Sequence, residues 1–294
     1  MHTPPMTVLD HELRVALELA RRCGVIASRI QAGGESSLNT QDKAGGQGPV
    51  TAADLAVEAA ILETLGAAFP DDAILAEESV GAHAWSGRER VWMIDPVDGT
   101  RDFADGSASW AIHIGLVLAG RPVLGVVCEP GGHRTSWGID HADLCLAFTQ
   151  RDGDPPIDLR AGAQARPPTA GPSWELVTSK SHHSPRLDPL AERLGVPAHA
   201  RHRTGSTGVK AAMVARAAAR IYAHPSVGTK LWDSCAPQAL LHAAGGRITA
   251  MTGAPLDYGG PGFANDHGLL ASAPGQDHAA IVEALRPLTA DWFG

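Results

Sequence analysis

The chain turns on Asp95-Pro96-Val97-Asp98-Gly99-Thr100. The residues ahead of it, Arg90-Val91-Trp92-Met93-Ile94, read as a buried strand. The hexapeptide is therefore expected to be a strand end breaking into a turn. Pro96 restricts one backbone angle, so the turn loses less entropy on ordering. Gly99 permits close backbone approach, and Thr100 adds a hydroxyl. Asp95 and Asp98 set two carboxylates three residues apart beside free amides. That combination suits a hard divalent cation with a phosphate next to it. Asp-Pro and Asp-Gly are also ordinary turn dipeptides, so the remaining sequence has to decide.

Bulk properties narrow the choice. With 294 residues and 44% hydrophobic content, the chain can bury one large core or two lobes. A formal charge of −8 argues against a nucleic-acid backbone binder and gives no reason to expect an anionic membrane surface as partner. An anionic small substrate needs local positive charge, which bound divalent metals supply. Cys23, Cys128, Cys145 and Cys235 lack paired metal-ligand spacing, so a reduced, cytoplasmic setting is expected. Asp10, Glu12 and Arg14 interrupt any apolar run that a signal peptide would need. No stretch is apolar for long enough to span a bilayer, and no internal repeat is visible.

In order, a Thr7-x-x-Asp10 start signal opens an amphipathic helix running to about Ile30. A polar, Gly-rich loop is expected from Gln31 to Gly48, carrying Lys43. Thr51 reads as the N-cap of a second helix, with Asp54 at the third position and Leu55, Ala59, Leu62 and Phe69 on one face. Ala73–Ala76 is a short strand leading into Glu77-Glu78-Ser79; if it neighbours the strand at 90–94, the two acidic groups meet at one sheet edge. Residues 109–119 alternate strictly (Trp110, Ile112, Ile114, Leu116, Leu118) and predict a half-buried strand. Strands at 123–128 and 141–148 follow, so the first half reads as two helices against an antiparallel sheet.

Residues 151–173, rich in Pro, Gly and Ala, mark a connector between an N-terminal lobe (1–150) and a C-terminal one (174–294). Beyond the connector, strands at 175–178, 220–223, 247–250 and 269–272 alternate with helices near 187–194, 209–219, 235–244 and 279–285. This predicts an α/β lobe. Leu231-Trp232-Asp233-Ser234-Cys235-Ala236-Pro237 opens one of these helices, and Asp233 is the third acidic point.

Asp-Pro-Val-Asp-Gly-Thr at 95–100, Trp-Asp-Ser-Cys-Ala-Pro at 232–237 and Ala-Gly-Gly at 244–246, with Glu77-Glu78-Ser79 ahead of them, resemble the inositol monophosphatase superfamily over nearly the whole chain. The resemblance implies an αβαβα layered sandwich like that of the inositol monophosphatases and fructose-1,6-bisphosphatases. It also implies a lithium-sensitive, Mg²⁺-dependent phosphatase, with Mn²⁺ a possible substitute. Glu77, Asp95 and the Val97 carbonyl would hold one ion, and Asp95, Asp98 and Asp233 a second. A third, weaker ion would sit near Glu77. Asp98, Gly99 and Thr100 would meet the phosphate, and Thr100, oriented by Asp54, would help deprotonate the attacking water. Glu78 would stand behind the ligands, and Lys43 near the family's mobile metal loop. The ligand chemistry agrees independently: an all-oxygen set suits Mg²⁺ or Mn²⁺ and disfavours zinc.

Thr178-Ser179-Lys180-Ser181-His182 resembles the Ser-x-Ser-His motif of the CysQ-type 3'(2'),5'-bisphosphate nucleotidase branch. Arg101-Asp102-Phe103 leans the same way, because inositol enzymes usually place Asn before the Phe. Ser179, His182, Gly205, Ser206, Thr207 and Lys210 would then contact substrate, with Lys210 suited to a 5'-phosphate as a point charge. His224 stands where the branch usually has an arginine, so a second-phosphate clamp would come from elsewhere, such as Arg203 or Lys230. The implied substrate is adenosine 3',5'-bisphosphate; inositol 1-phosphate, histidinol phosphate and fructose 1,6-bisphosphate are the alternatives. The family contains both monomers and homodimers.

Overall fold

A computed structural model describes residues 8–42, 49–80, 85–161, 174–181 and 184–294. In chain order the first elements are α1 (Asp10–Ala32), α2 (Glu35–Leu38), β1 (Gln41–Asp42), β2 (Pro49–Val50), α3 (Ala52–Ala68), β3 (Ala73–Ala76), β4 (Arg90–Asp98) and α4 (Thr100–Ala104). Then come β5 (Ala111–Leu118), β6 (Arg121–Glu129), β7 (Arg134–His141), β8 (Leu144–Arg151), β9 (Ile157–Asp158) and β10 (Trp174–Ser179). The chain continues with α5 (Leu187–Arg193), β11 (Arg201–Thr204), α6 (Thr207–Ala215), β12 (Ala219–His224), α7 (Leu231–Ala243), β13 (Arg247–Thr249), β14 (Leu269–Ser272) and α8 (His278–Phe293).

Strands β3 to β9 form a seven-stranded sheet in sequence order, and β11-β10-β12-β14-β13 form a five-stranded mixed sheet. The packing is a five-layer αβαβα sandwich. Helices α1 and α3 cover one face of the large sheet, joining Leu19, Ile61 and Leu65 to Trp92, Ile114 and Leu124. Helices α6 and α7 fill the middle layer, tying Val127 and Ala147 of the large sheet to Val177, Tyr222 and Ala271 of the small one. The far face of the small sheet is closed by α5 and α8 through Leu190 and Leu285. No helix among the described residues is long and apolar enough to cross a membrane.

Several local expectations need correcting. Helix α1 begins at Asp10 behind Leu9, whose φ is 70°, with Asp10 and Glu12 at the positive end of the helix dipole; Thr7 lies outside the described residues. Part of the loop expected from Gln31 is helical, and β1 pairs with β2. The buried face of α3 is Ala53, Val57, Ile61 and Leu65, one row round from the predicted face, and Leu55 is 57% exposed. The large sheet is not wholly antiparallel, because β3 and β4 run parallel. The strand expected at 141–148 straddles the β7–β8 hairpin, and β7 and β11 were missed. Strand β9, inside the stretch read as a connector, extends the large sheet. Strand β5 is buried on both faces rather than one, because α7 covers the side that alternation assigned to solvent.

Candidate active site

The acidic wall is built by strand register. Ala76 of β3 pairs with Ile94 of β4, and the Glu77 amide donates to the Ile94 carbonyl at 3.3 Å. Glu77 is thereby carried to the side of Asp95. Strand β4 does not stop at Ile94 but runs on to Asp98, with a register shift against β5 between Asp95 and Asp98. Pro96 cannot donate to the ladder, so the irregularity falls where it sits. Asp233 arrives from the first turn of α7, its carboxylate accepting from the Lys230 amide at 2.5 Å. Glu77, Asp95, Asp98 and Asp233 all line one cavity of about 700 Å³.

The electrostatics of this wall call for a cation. Burial, followed by the charges of Glu77, Asp98 and Asp233, pushes the Asp95 carboxyl well above the usual carboxylate range. Burial and the charges of Asp98 and Glu77 push Asp233 up to about 7. Asp95 Oδ1 is buried with no hydrogen-bond partner among the described residues. A buried oxygen left unpaired beside like charges is costly, and a divalent cation removes both costs. Carboxylate oxygens of Asp95 and Asp98 lie within 4.8 Å of each other, and a ring nitrogen of His113 lies equally near to both. The carboxylate oxygens and their burial thus fit a hard metal ion.

Thr100 and Asp54 are brought together although 46 residues apart: Thr100 Oγ1 lies 3.2 Å from Asp54 Oδ1 and 3.0 Å from the Val97 carbonyl. The other Asp54 oxygen accepts from the Thr51 amide at 2.8 Å and the Thr51 hydroxyl at 2.6 Å, completing the capping box of α3. One carboxylate both caps a helix and holds the threonine. Gly99 has a φ of 92°, and a Cβ there would lie 3.2 Å from the Ser109 carbonyl and the Ser206 amide, so the turn needs glycine.

The facing wall comes from the second half of the chain. Ser179, Ser206, Thr207, Lys210 and His224 line the cavity. The Ser206 hydroxyl donates to Asp98 Oδ2 at 2.5 Å and accepts from the Val209 amide at 3.0 Å, so it caps α6 and clasps an acid at once. Lys210 is 3% exposed, donates to the Gly205 carbonyl at 3.3 Å and sits over the Tyr222 ring. Burial lowers its pKa to about 8 against the opposing pull of Asp98, Asp102 and Asp233. Asp98 goes the other way: burial raises it, but His113, Lys210 and Ser206 outweigh burial and hold it at about 2.

Not every expected residue reaches the cavity. Gly205 packs behind the wall, where a Cβ would lie 2.2 Å from the Ser109 carbonyl. Glu78 stands off the cavity lining, its amide donating to the buried Glu58 carboxylate at 2.8 Å. Arg203 donates to the Ser179 carbonyl, whereas Lys230 lines the cavity. Lys43 and His182 fall outside the described residues. Arg101 and Ser181 line the cavity without having been foreseen, and buried Asp102 ties Ser181 (3.0 Å) and Lys180 (3.6 Å) to α4. A basic residue following the Asp-Gly-Thr turn was the available signal for Arg101.

Known proteins resemble this chain in sequence and in fold. Residues 9–290 match the family model described as the inositol monophosphatase family. The 3'(2'),5'-bisphosphate nucleotidase CysQ of Escherichia coli K12 is 32% identical over 250 residues, covering 82% of this chain and 91% of that protein. The histidinol-phosphatase of Mycobacterium tuberculosis is 34% identical over 224 residues, covering 76% and 81%. The structure of CysQ from Bacteroides thetaiotaomicron superposes with a TM-score of 0.68 at 22% identity, covering 90% of this chain and 98% of that one. The chain belongs to the inositol monophosphatase family of metal-dependent phosphatases.

Proposed function

We propose that the protein is a Mg²⁺-dependent 3'(2'),5'-bisphosphate nucleotidase that hydrolyses adenosine 3',5'-bisphosphate to AMP and phosphate in the cytoplasm. The observation that carries this reading is one cavity with two poles, four carboxylates on one wall and Arg101, Lys210, Lys230 and His224 around the rest. Its volume of about 700 Å³ accommodates a nucleotide as well as a small alcohol phosphate. In this reading residues 1–150 are the metal-binding lobe and 174–294 the substrate lobe. The CysQ relatives support the nucleotide; the histidinol-phosphatase relative makes histidinol phosphate the competing substrate.

Glu77, Asp95, the Val97 carbonyl, Asp98 and Asp233 would hold the cations, which supply an acidified water and charge neutralisation for the departing oxygen. The chain's own residues do the rest. The amides of Gly99 and Thr100 orient the phosphate. Thr100, held by Asp54, takes up the proton of the attacking water and passes it toward the carboxylate. Ser179, Thr207 and Lys210 seat the far end of the substrate, with the Lys210 ammonium meeting the second phosphate.

Asp54→Asn separates the two duties of that side chain. Its amide oxygen still accepts from Thr51, so unfolding stability, read from a thermal melt, should fall by less than the roughly 1 kcal/mol of a lost cap. Its NH₂ cannot accept the Thr100 proton, so kcat should fall on the order of a hundredfold. Unchanged kcat would remove Asp54 from catalysis.

Substrate choice is tested by phosphate release, side by side, from adenosine 3',5'-bisphosphate, inositol 1-phosphate, histidinol phosphate and fructose 1,6-bisphosphate. The nucleotide should give the highest kcat/KM. Lys210→Ala should cost the nucleotide at least roughly tenfold more than it costs inositol 1-phosphate, since only the nucleotide presents a second phosphate there. Equal losses would strip Lys210 of that role, and a preference for histidinol phosphate would replace the nucleotide reading.

A further inference from the structure

Among the described residues His113 is the one buried imidazole beside the acids of the site, and neither the motifs nor the proposed mechanism uses it. It stands on β5 opposite Asp95 of β4 and is fully buried. Its Nε2 lies 3.1 Å from Asp98 Oδ2, a close approach without the alignment of a hydrogen bond. Its Nδ1 faces the Trp232 carbonyl at 3.4 Å, one residue before Asp233. The ring therefore spans from one acidic arm to the backbone of another.

Around Asp98 the contacts are one-sided. Oδ2 receives the Ser206 hydroxyl at 2.5 Å, the Gly208 amide at 2.9 Å and the approach of His113; Oδ1 takes none of these. The room for the imidazole comes from Gly208. A Cβ at 208 would sit 2.0 Å from His113 Nε2, so any side chain there would evict the ring. Large at 113 and absent at 208, the two positions fit each other across the join between the large sheet and α6.

We propose that His113 is a positioning residue for the cation site, holding the Asp98 carboxylate with Oδ2 turned into the protein and Oδ1 toward the cavity, and that Gly208 is its steric counterpart. The inference rests on the reading that Asp98 is a metal ligand.

The test is direct Mn²⁺ binding, followed by electron paramagnetic resonance, with a thermal melt of each variant. Glutamine can place its amide nitrogen near the Nε2 position, whereas asparagine reaches only the Nδ1 position. H113Q should keep Mn²⁺ affinity within about threefold, while H113N and G208A each lose roughly ten- to a hundredfold, the range for partners that orient a ligand. H113S/G208A removes the clash, so it should regain the melting temperature that G208A loses without regaining affinity. Wild-type affinity in H113N, or recovery of affinity in the double variant, would overturn the proposal. So would a directly coordinated imidazole nitrogen in the Mn²⁺ spectrum. Should H113N fail to fold, G208A and the double variant carry the same comparison. A wild-type protein that binds no Mn²⁺ would overturn the metal reading itself, and this inference with it.

Discussion

Asp95→Asn should cut turnover by at least about a thousandfold, roughly 4 kcal/mol of transition-state stabilisation, while leaving the fold intact. Asp95 is 1% exposed, stands next to Glu77 through the β3–β4 register, and presents a buried Oδ1 without a hydrogen-bond partner among the described residues. An amide there lacks the charge to hold a shared cation. The same substitution should stabilise the metal-free protein. Burial and like charge raise the pKa of both Asp95 and Asp233, the latter to about 7 from 3.8. A carboxyl whose folded pKa is raised contributes stability below its unfolded pKa and loses it as pH rises through the folded one. Metal-free wild type should therefore lose stability between about pH 4 and pH 7, less steeply in the variant, although Asp98, whose pKa is lowered, pulls the opposite way at the acid end. Adding Mg²⁺ at pH 7 should raise the wild-type melting temperature and barely move that of the variant, since only a state that binds ligand gains from it. Near-normal turnover, or an equal Mg²⁺ shift in both proteins, would refute the assignment of Asp95 to the cation.

What could be read from the chain, and what could not, divides along a physical line. Features set by neighbours in sequence were legible: the strand into Asp95, the Thr51–Asp54 capping box, and Asp233 in the first turn of a helix. Glu77 beside Asp95 followed from two short strands assumed to be neighbours, and the parallel pairing of β3 and β4 supplies that adjacency. Features set by long-range packing were not. Alternation along β5 marks Trp110, Ile112, Ile114 and Leu116 as one buried face but says nothing of a helix 120 residues later covering the other. That second face carries His113, so the imidazole under Asp98 went unseen. Strand β7 hid because Gly138 and the polar Thr135, Ser136 and Asp140 blur its pattern. The double use of Ser206, as helix cap and as partner of Asp98, depends on two distant stretches of chain meeting and has no local signature.

Gly125→Val should be the most damaging change outside the cavity, and it shows how the fold sets the site. Gly115, Gly125 and Gly138 pair with one another in register across β5, β6 and β7, making a bare groove in the large sheet. Helix α7 lies in that groove. A Cβ at 115 would meet Cys235 Sγ at 2.6 Å, one at 125 the Ala236 carbonyl at 2.1 Å, and one at 138 Ala243 Cβ at 2.8 Å. The contact at 125 is with backbone, which cannot rotate away as a side chain can. The helix must lift or the strand must bend, at a cost of about 3 kcal/mol. Lifting α7 carries Asp233, in its first turn, away from Asp95 and Asp98. A displacement of about 1 Å at such a group costs on the order of a hundredfold in rate. The variant should therefore melt several degrees lower and need more Mg²⁺ for half-maximal turnover, with a reduced kcat even when saturated. Gly66→Ala is the control: that glycine lies in α3 with open space around it, so the change should leave kcat alone and hold or raise stability. If Gly125→Val melts and turns over like wild type, α7 does not owe its seat to the glycine row, and the placement of Asp233 must be explained by other contacts.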